Sequence, residues 1–159
     1  MNKLLKIIIA ITLTYVAFSC EKYDDYSPIP ELTFDSLRYT NDSYSGSEYL
    51  EITLDFIDGD GDLCIPNDTV KNLFYTLYQM ENDSMVEVEL TVPYEFSIPY
   101  YEPEGRNKLM QGRIINKFYK SDLQNFDTIQ FSFYAFDRAG NRSKTNYTPV
   151  IILKDYWQD

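Results

Sequence analysis

Two stretches of the chain alternate apolar and polar residues, and this alternation constrains the fold more than any other feature. The stretches are residues 47–58 and 127–137, and their apolar positions are Leu50, Ile52, Leu54 and Phe56, then Ile129, Phe131, Phe133 and Ala135. A period of two places such side chains on one face of a strand. Shorter strand patterns, separated by turns rich in Gly, Asn and Asp, fill much of the remaining chain. The sequence therefore predicts an all-β protein, an antiparallel β-sandwich of seven to eight strands, with a small closed barrel as the alternative.

The first twenty residues have the parts of an export signal. Two lysines lie near the start, an apolar run follows at 4–17, and the stretch ends in Ser19-Cys20. The run is short for a membrane span and is followed by EKYDD, which favours a cleaved signal over an N-terminal anchor helix. We assign the chain to three parts: a signal peptide at 1–19, a tether at 20–30 and the sandwich domain at 31–159.

The tetrapeptide AFSC at 17–20 resembles the lipobox of bacterial lipoproteins, which are cleaved just before the cysteine. The resemblance implies that Cys20 is the lipidated N-terminus, and each acyl chain contributes about 0.8 kcal/mol of membrane affinity per buried methylene. Glu21, Asp24 and Asp25 follow directly, and this acidic cluster resembles the surface-export signal of bacteroidete-type lipoproteins. We therefore expect a lipid anchor in the outer membrane and a domain that faces the cell exterior.

The last predicted hairpin, at 127–153, contains the turn DRAGNRS and the strand segment YTPVIIL. It resembles the final hairpin of immunoglobulin-like bacterial surface domains. Together with the segments at 54–64 and 96–112, it is similar to a group of bacteroidete-type surface lipoproteins to which no activity is assigned. The resemblance implies an immunoglobulin-like sandwich and a surface location, and it implies no reaction.

Charge and composition argue against several classes of function. The chain has 14 basic and 25 acidic residues, a formal net charge of −11 and no histidine. Nucleic acid is not expected as a partner because phosphate binding needs a basic face. Ser-His-Asp and Cys-His catalytic groups and Cys/His zinc sites all need the missing histidine. Once Cys20 is lipidated, Cys64 is left single, and we interpret it as a small buried residue. We do not expect an enzyme.

The segment DGDGD places aspartates at positions 58, 60 and 62. This spacing matches the first ligands of a calcium loop, but Leu63 and Thr69 then stand where an EF-hand needs Gly and Glu. In an immunoglobulin-like strand order the DRAGN turn lies at the same end of the sandwich, so Asp137 is a candidate fourth ligand. The sequence leaves two interpretations open: a weak calcium site, or an acidic turn whose charge Arg138 and Arg142 neutralise.

Three aromatic residues are candidates for a binding surface. Tyr100 and Tyr101 stand between prolines, a pattern typical of an edge strand followed by an exposed loop, and Trp157 lies near the C-terminus. Exposed aromatic rings anchor protein partners or stack on sugars. We expect a non-catalytic binding or accessory module, a small subunit of an outer-membrane protein assembly. The alternative is a glycan-binding surface module, and a hydrolase or an inhibitor is the least favoured interpretation.

Overall fold

The computed structural model describes residues 26–105 and 107–157, whose regular secondary structure is almost entirely antiparallel strands. The strands in chain order are β1 (Glu31–Asp42), β2 (Ser47–Asp58), β3 (Leu73–Glu81), β4 (Ser84–Glu87), β5 (Tyr94–Phe96), β6 (Met110–Tyr119), β7 (Thr128–Ala135), β8 (Asn146–Tyr147) and β9 (Ile151–Ile152). One helical turn, α1 (Lys120–Leu123), joins β6 to β7, and a 3-10 turn at Leu153–Asp155 follows β9.

The strands form two sheets that pack face to face. The smaller sheet has the order β1-β2-β6, and the larger has the order β4-β3-β7-β8, with β5 also paired to β3 and β9 also paired to β7. Within the described residues no ladder joins one sheet to the other, which distinguishes this arrangement from a closed barrel. The prediction of an all-β protein with antiparallel sheets packed as a sandwich is confirmed.

The core lies between the sheets and is filled by the two alternating stretches. Leu50, Ile52 and Leu54 of β2 and all four apolar positions of β7 are buried, whereas Phe56 is partly buried at the margin of the core. The rings of Phe118 in β6 and Phe131 in β7 meet across the interface with centroids 4.4 Å apart. Burial of each such side chain contributes about 1.5–3 kcal/mol, so this interface is the main source of stability.

Strand β1 changes its inward-facing parity at a bulge. Phe34 pairs with Leu54, but the next paired residue, Ser36, lies opposite Thr53, so Asp35 is the extra residue. Leu32 and Phe34 pack inward before the bulge, and Leu37 and Tyr39 pack inward after it. The bulge therefore converts an even-numbered apolar series into an odd-numbered one without breaking the strand.

Candidate metal centre

The acidic segment begins where β2 ends. Asp58 is the last residue of that strand and is fully buried. Its Oδ2 accepts hydrogen bonds from the backbone N–H of Asp62 at 2.8 Å and of Leu63 at 2.7 Å. One carboxylate oxygen of Asp58 therefore closes the turn that reverses the chain.

The two glycines of the segment are required by close backbone contacts on both sides. A Cβ on Gly59 would lie 2.5 Å from the carbonyl oxygens of Tyr26 and Ser27. A Cβ on Gly61 would lie 2.1 Å from the carbonyl oxygen of Lys108, and Gly61 also has a φ of +71°. Both positions thus exclude a side chain for reasons that involve remote parts of the chain.

Asp62 joins the acidic segment to the turn at residues 137–141. Its carbonyl oxygen accepts the N–H of Arg138 at 3.1 Å, and its Oδ2 accepts the N–H of Ala139 at 3.0 Å. The two loops therefore lie together at one end of the sandwich, as the immunoglobulin-like strand order predicts.

The aspartates at 58, 60 and 62 point to a common place. One carboxylate oxygen from each lies within 4.8 Å of the others. Asp58 is buried, Asp62 is half-buried and Asp60 is exposed. The Oδ1 atoms of Asp58 and Asp62 are buried and accept no hydrogen bond from any residue that the structure describes. Buried carboxylate oxygens normally have a donor or a cation, so these two oxygens are the candidate ligand atoms of the cluster.

The electrostatics of the cluster are those of crowded, partly desolvated carboxylates. Burial, and then the charges of Asp60 and Asp62, raise the pKa of Asp58 to about 6, although two backbone donors oppose the shift. The pKa of Asp62 is also raised, first by burial and then by the charges of Asp137 and Asp60. Near neutral pH the cluster therefore carries negative charge that its surroundings disfavour.

Asp137, the candidate fourth ligand, and Arg138 and Arg142, the candidate neutralising charges, each have other partners in the structure. Asp137 is buried, and its carboxylate accepts the backbone N–H of Asn141 at 2.7 Å and the side-chain amide of Asn141 at 2.8 Å. It lies outside the set of mutually close carboxylates. The guanidinium of Arg138 donates to the carbonyl of Gly61 at 3.4 Å, and that of Arg142 stacks 3.8 Å over the ring of Tyr134. In the described chain, neither arginine forms an ion pair with the cluster.

Asn72 is a positioning residue that sequence reasoning missed. It is buried just before β3, and its side-chain amide donates to the carbonyl of Leu63 at 2.8 Å and to that of Phe136 at 3.1 Å. Its Oδ1 accepts the N–H of Ile98 at 2.9 Å. One amide thus joins the end of the acidic segment to the strand that enters the 137–141 turn. The only sequence signal is a polar residue directly before an apolar strand, which is too common to be diagnostic.

The remaining candidates are separated in space. Cys64 is a buried free thiol 3.6 Å from the sulfur of Met110, and burial raises its pKa.

Tyr100 and Tyr101 are exposed, and Tyr101 borders a groove of about 550 Å³ beside β6. Trp157 is partly buried and packs against Tyr39, near the start of β2 rather than its end. The three aromatic residues therefore do not share one surface.

Cys20 lies outside the described residues. Within 26–105 and 107–157 no helix has the length and apolarity that a membrane span requires.

No protein-family model matches the chain, and neither the curated proteins nor the solved structures compared with it include a match.

Proposed function

We propose that this protein is a lipid-anchored, non-catalytic surface module of the outer membrane whose acidic end binds calcium. One observation carries the calcium assignment: Asp58 Oδ1 and Asp62 Oδ1 are buried without a hydrogen-bond donor in the described structure, in a cluster that also includes Asp60. A cation placed among these oxygens supplies the missing partner for both atoms.

Calcium fits this donor set better than other common metals. The donors are carboxylate oxygens, the chain has no histidine, and the one thiol among the described residues, Cys64, is buried, which favours hard cations over zinc or copper. Calcium accepts irregular sets of six to eight oxygens, whereas magnesium demands near-octahedral geometry and holds its waters. The exposure of Asp60 leaves one side of the site open to solvent water as further ligand. Such a site belongs to the affinity range of extracellular modules, about 10⁻⁴ to 10⁻³ M.

The alternative of an acidic turn neutralised by arginine has weaker geometric support. The guanidinium of Arg138 donates to a backbone carbonyl and its charge only partly offsets the raised pKa of Asp62, whereas Arg142 is committed to Tyr134 and to the hydroxyl of Thr145. Protonation of Asp58 is a second way to relieve the cluster, but its pKa of about 6 leaves most of the carboxyl ionised at neutral pH.

The immunoglobulin-like classification is supported by the strand order, because β1-β2-β6 and β4-β3-β7-β8 follow the pairing of that fold. The lipid anchor at Cys20 and the surface location rest on the sequence alone. We retain a role as a subunit of a membrane-protein assembly as the first function. A glycan-binding role is the second, favoured by the exposed ring of Tyr101 beside the groove.

Thermal unfolding in millimolar calcium and in chelator tests the calcium site. At ten times the dissociation constant, calcium adds about 1.4 kcal/mol to the free energy of unfolding, which raises Tm by several degrees. Asp60→Asn should abolish this shift. Asp68→Asn is the matched control, since Asp68 is exposed in the same connection but lies outside the cluster, and it should keep the shift. If calcium leaves Tm unchanged, the proposed site is wrong.

A further inference from the structure

The last residues of the tether are attached to the sandwich through the loops of the candidate metal centre. The carbonyl of Ser27 accepts the N–H of Gly59 at 3.0 Å, and the carbonyl of Pro28 accepts the side-chain amide of Asn141 at 3.4 Å. The side chains of Tyr26 and Ile29 are exposed. The segment 26–30 is therefore held by backbone contacts to these two loops, and of its side chains only Pro30, directly before β1, is buried.

The contact at Gly59 is unusually close. Gly59 stands between Asp58 and Asp60, and the carbonyl oxygens of Tyr26 and Ser27 occupy the space that a Cβ would need. Any movement of the acidic segment is therefore transmitted directly to the tether, because two backbones touch with no intervening side chain.

The second contact depends on the same loops. Asn141 is held by both oxygens of Asp137, and the turn that contains them is fixed to Asp62 by two backbone N–H groups. The acidic segment thus supports both attachment points of the tether, one directly and one through the neighbouring turn.

We infer that calcium at Asp58, Asp60 and Asp62 clamps residues 26–30 of the tether onto the sandwich; this inference rests on the proposed function. Without a cation, three carboxylates within 4.8 Å of one another repel, and two buried oxygens have no partner within the described chain. The cation removes both causes of instability in the segment that holds the tether. Release of the five residues 26–30 would lengthen the tether by up to about 18 Å and free the orientation of the domain relative to its anchor.

Amide hydrogen exchange on the full-length protein in detergent measures this clamp. We expect the amide of Gly59, which donates to the carbonyl of Ser27, to exchange at least about fivefold more slowly in calcium than in chelator, the lower end of typical coupling factors. The amide of Gly46, bonded to the carbonyl of Asp42 at 2.7 Å, is the internal control at the opposite end of β2 and should change much less. Asp60→Asn should remove the calcium effect, whereas Asp68→Asn should retain it.

A reciprocal test uses Gly59→Ala, whose Cβ cannot coexist with the carbonyl oxygens of Tyr26 and Ser27 at their present positions and which keeps all three carboxylates. Because coupling between two equilibria is mutual, this variant should bind calcium about fivefold more weakly than the wild type. If calcium raises Tm but neither the exchange of the Gly59 amide nor the calcium affinity of Gly59→Ala changes, the clamp is wrong and the calcium site stands. If calcium does not raise Tm at all, the calcium site fails and the clamp fails with it.

Discussion

The two longest strands of the smaller sheet, β1 and β2, each end in an aspartate that starts a turn. The two turns differ in whether both carboxylate oxygens of that aspartate accept a hydrogen bond. Asp42 ends β1, where its Oδ1 accepts the N–H of Tyr44 at 3.0 Å and its Oδ2 accepts the hydroxyl of Ser45 at 2.8 Å. Asp58 ends β2 and directs both of its hydrogen bonds to Oδ2, so that Oδ1 is buried without a donor in the described structure.

The pKa values of the two carboxyls move in opposite directions as a result. Hydrogen bonds from Ser45 and Tyr44 lower the pKa of Asp42, whereas burial raises that of Asp58 to about 6. The same residue at the same position of a strand is thus satisfied at one end of the sheet and unsatisfied at the other. The difference indicates that the half-buried carboxylate of Asp42 finds its donors within its own turn, while the fully buried one of Asp58 needs a further partner from outside the turn.

Replacement of a glycine in each turn should give the largest difference in stability between the two turns. Gly46 has a φ of +68° and open space around it, whereas a Cβ on Gly61, whose φ is +71°, would meet the carbonyl of Lys108 at 2.1 Å. Gly46→Ala should cost about 1 kcal/mol, from the left-handed backbone alone. Gly61→Ala should cost about 3 kcal/mol or more, because backbone displacement is added to the same strain. Urea unfolding measures both variants, and equal losses would show that the acidic segment is not tightly packed.

Asp58→Asn should change the free energy of unfolding by an intermediate amount, and the sign of the change should depend on calcium. In chelator near neutral pH the variant should be more stable than the wild type by on the order of 2 kcal/mol, because it removes a buried charge and keeps an oxygen acceptor. In saturating calcium it should be less stable, because a ligand is lost. Thermal unfolding with and without chelator tests this reversal, and a loss of stability in both conditions contradicts it.

The raised pKa of Asp58 also predicts how the stability difference between the wild type and Asp58→Asn changes with pH. A carboxyl with a raised pKa in the folded state contributes stability below its unfolded pKa, and this contribution is lost as pH rises through the folded value. In chelator, the wild type should therefore lose stability relative to Asp58→Asn between about pH 4 and about pH 6.

Asp42→Asn should have the smallest effect on Tm, and this effect should not depend on calcium. The pKa of Asp42 is lowered, so its contribution is present above the ordinary pKa of an aspartate and is lost as pH falls through the lower folded value. The variant should lower Tm slightly near neutral pH and match the wild type in strong acid. A calcium-dependent change in the Tm of this variant would remove the distinction between the two turns.

Local periodicity was sufficient to predict strands β2 and β7 and their inward faces. The apolar positions of β2 and β7 were correctly placed because side-chain direction alternates along any strand, whatever the rest of the chain does. The closing strand was predicted as one element but is divided into β8 and β9 around Pro149, which has no N–H for a sheet ladder. The bulge at Asp35 was not predicted, because it depends on how β1 pairs with β2 rather than on β1 alone.

The sequence by itself determined the kind of chemistry available at the acidic end. It supplied carboxylates at alternate positions 58, 60 and 62, glycines between them and no histidine, which restricts a metal site to oxygen ligands. Its resemblance to immunoglobulin-like domains also implied a strand order that predicts the DRAGN turn at the same end of the sandwich as this segment.

Only the tertiary structure decided which atoms are left without partners. Asp58 is buried, and Asp137 is occupied by Asn141 instead of completing the cluster. The glycines make room for Ser27 and Lys108, which lie tens of residues away in the chain. Burial and hydrogen-bond satisfaction depend on contacts between distant segments, and a local pattern of residues carries no information about which of its polar atoms those segments will reach.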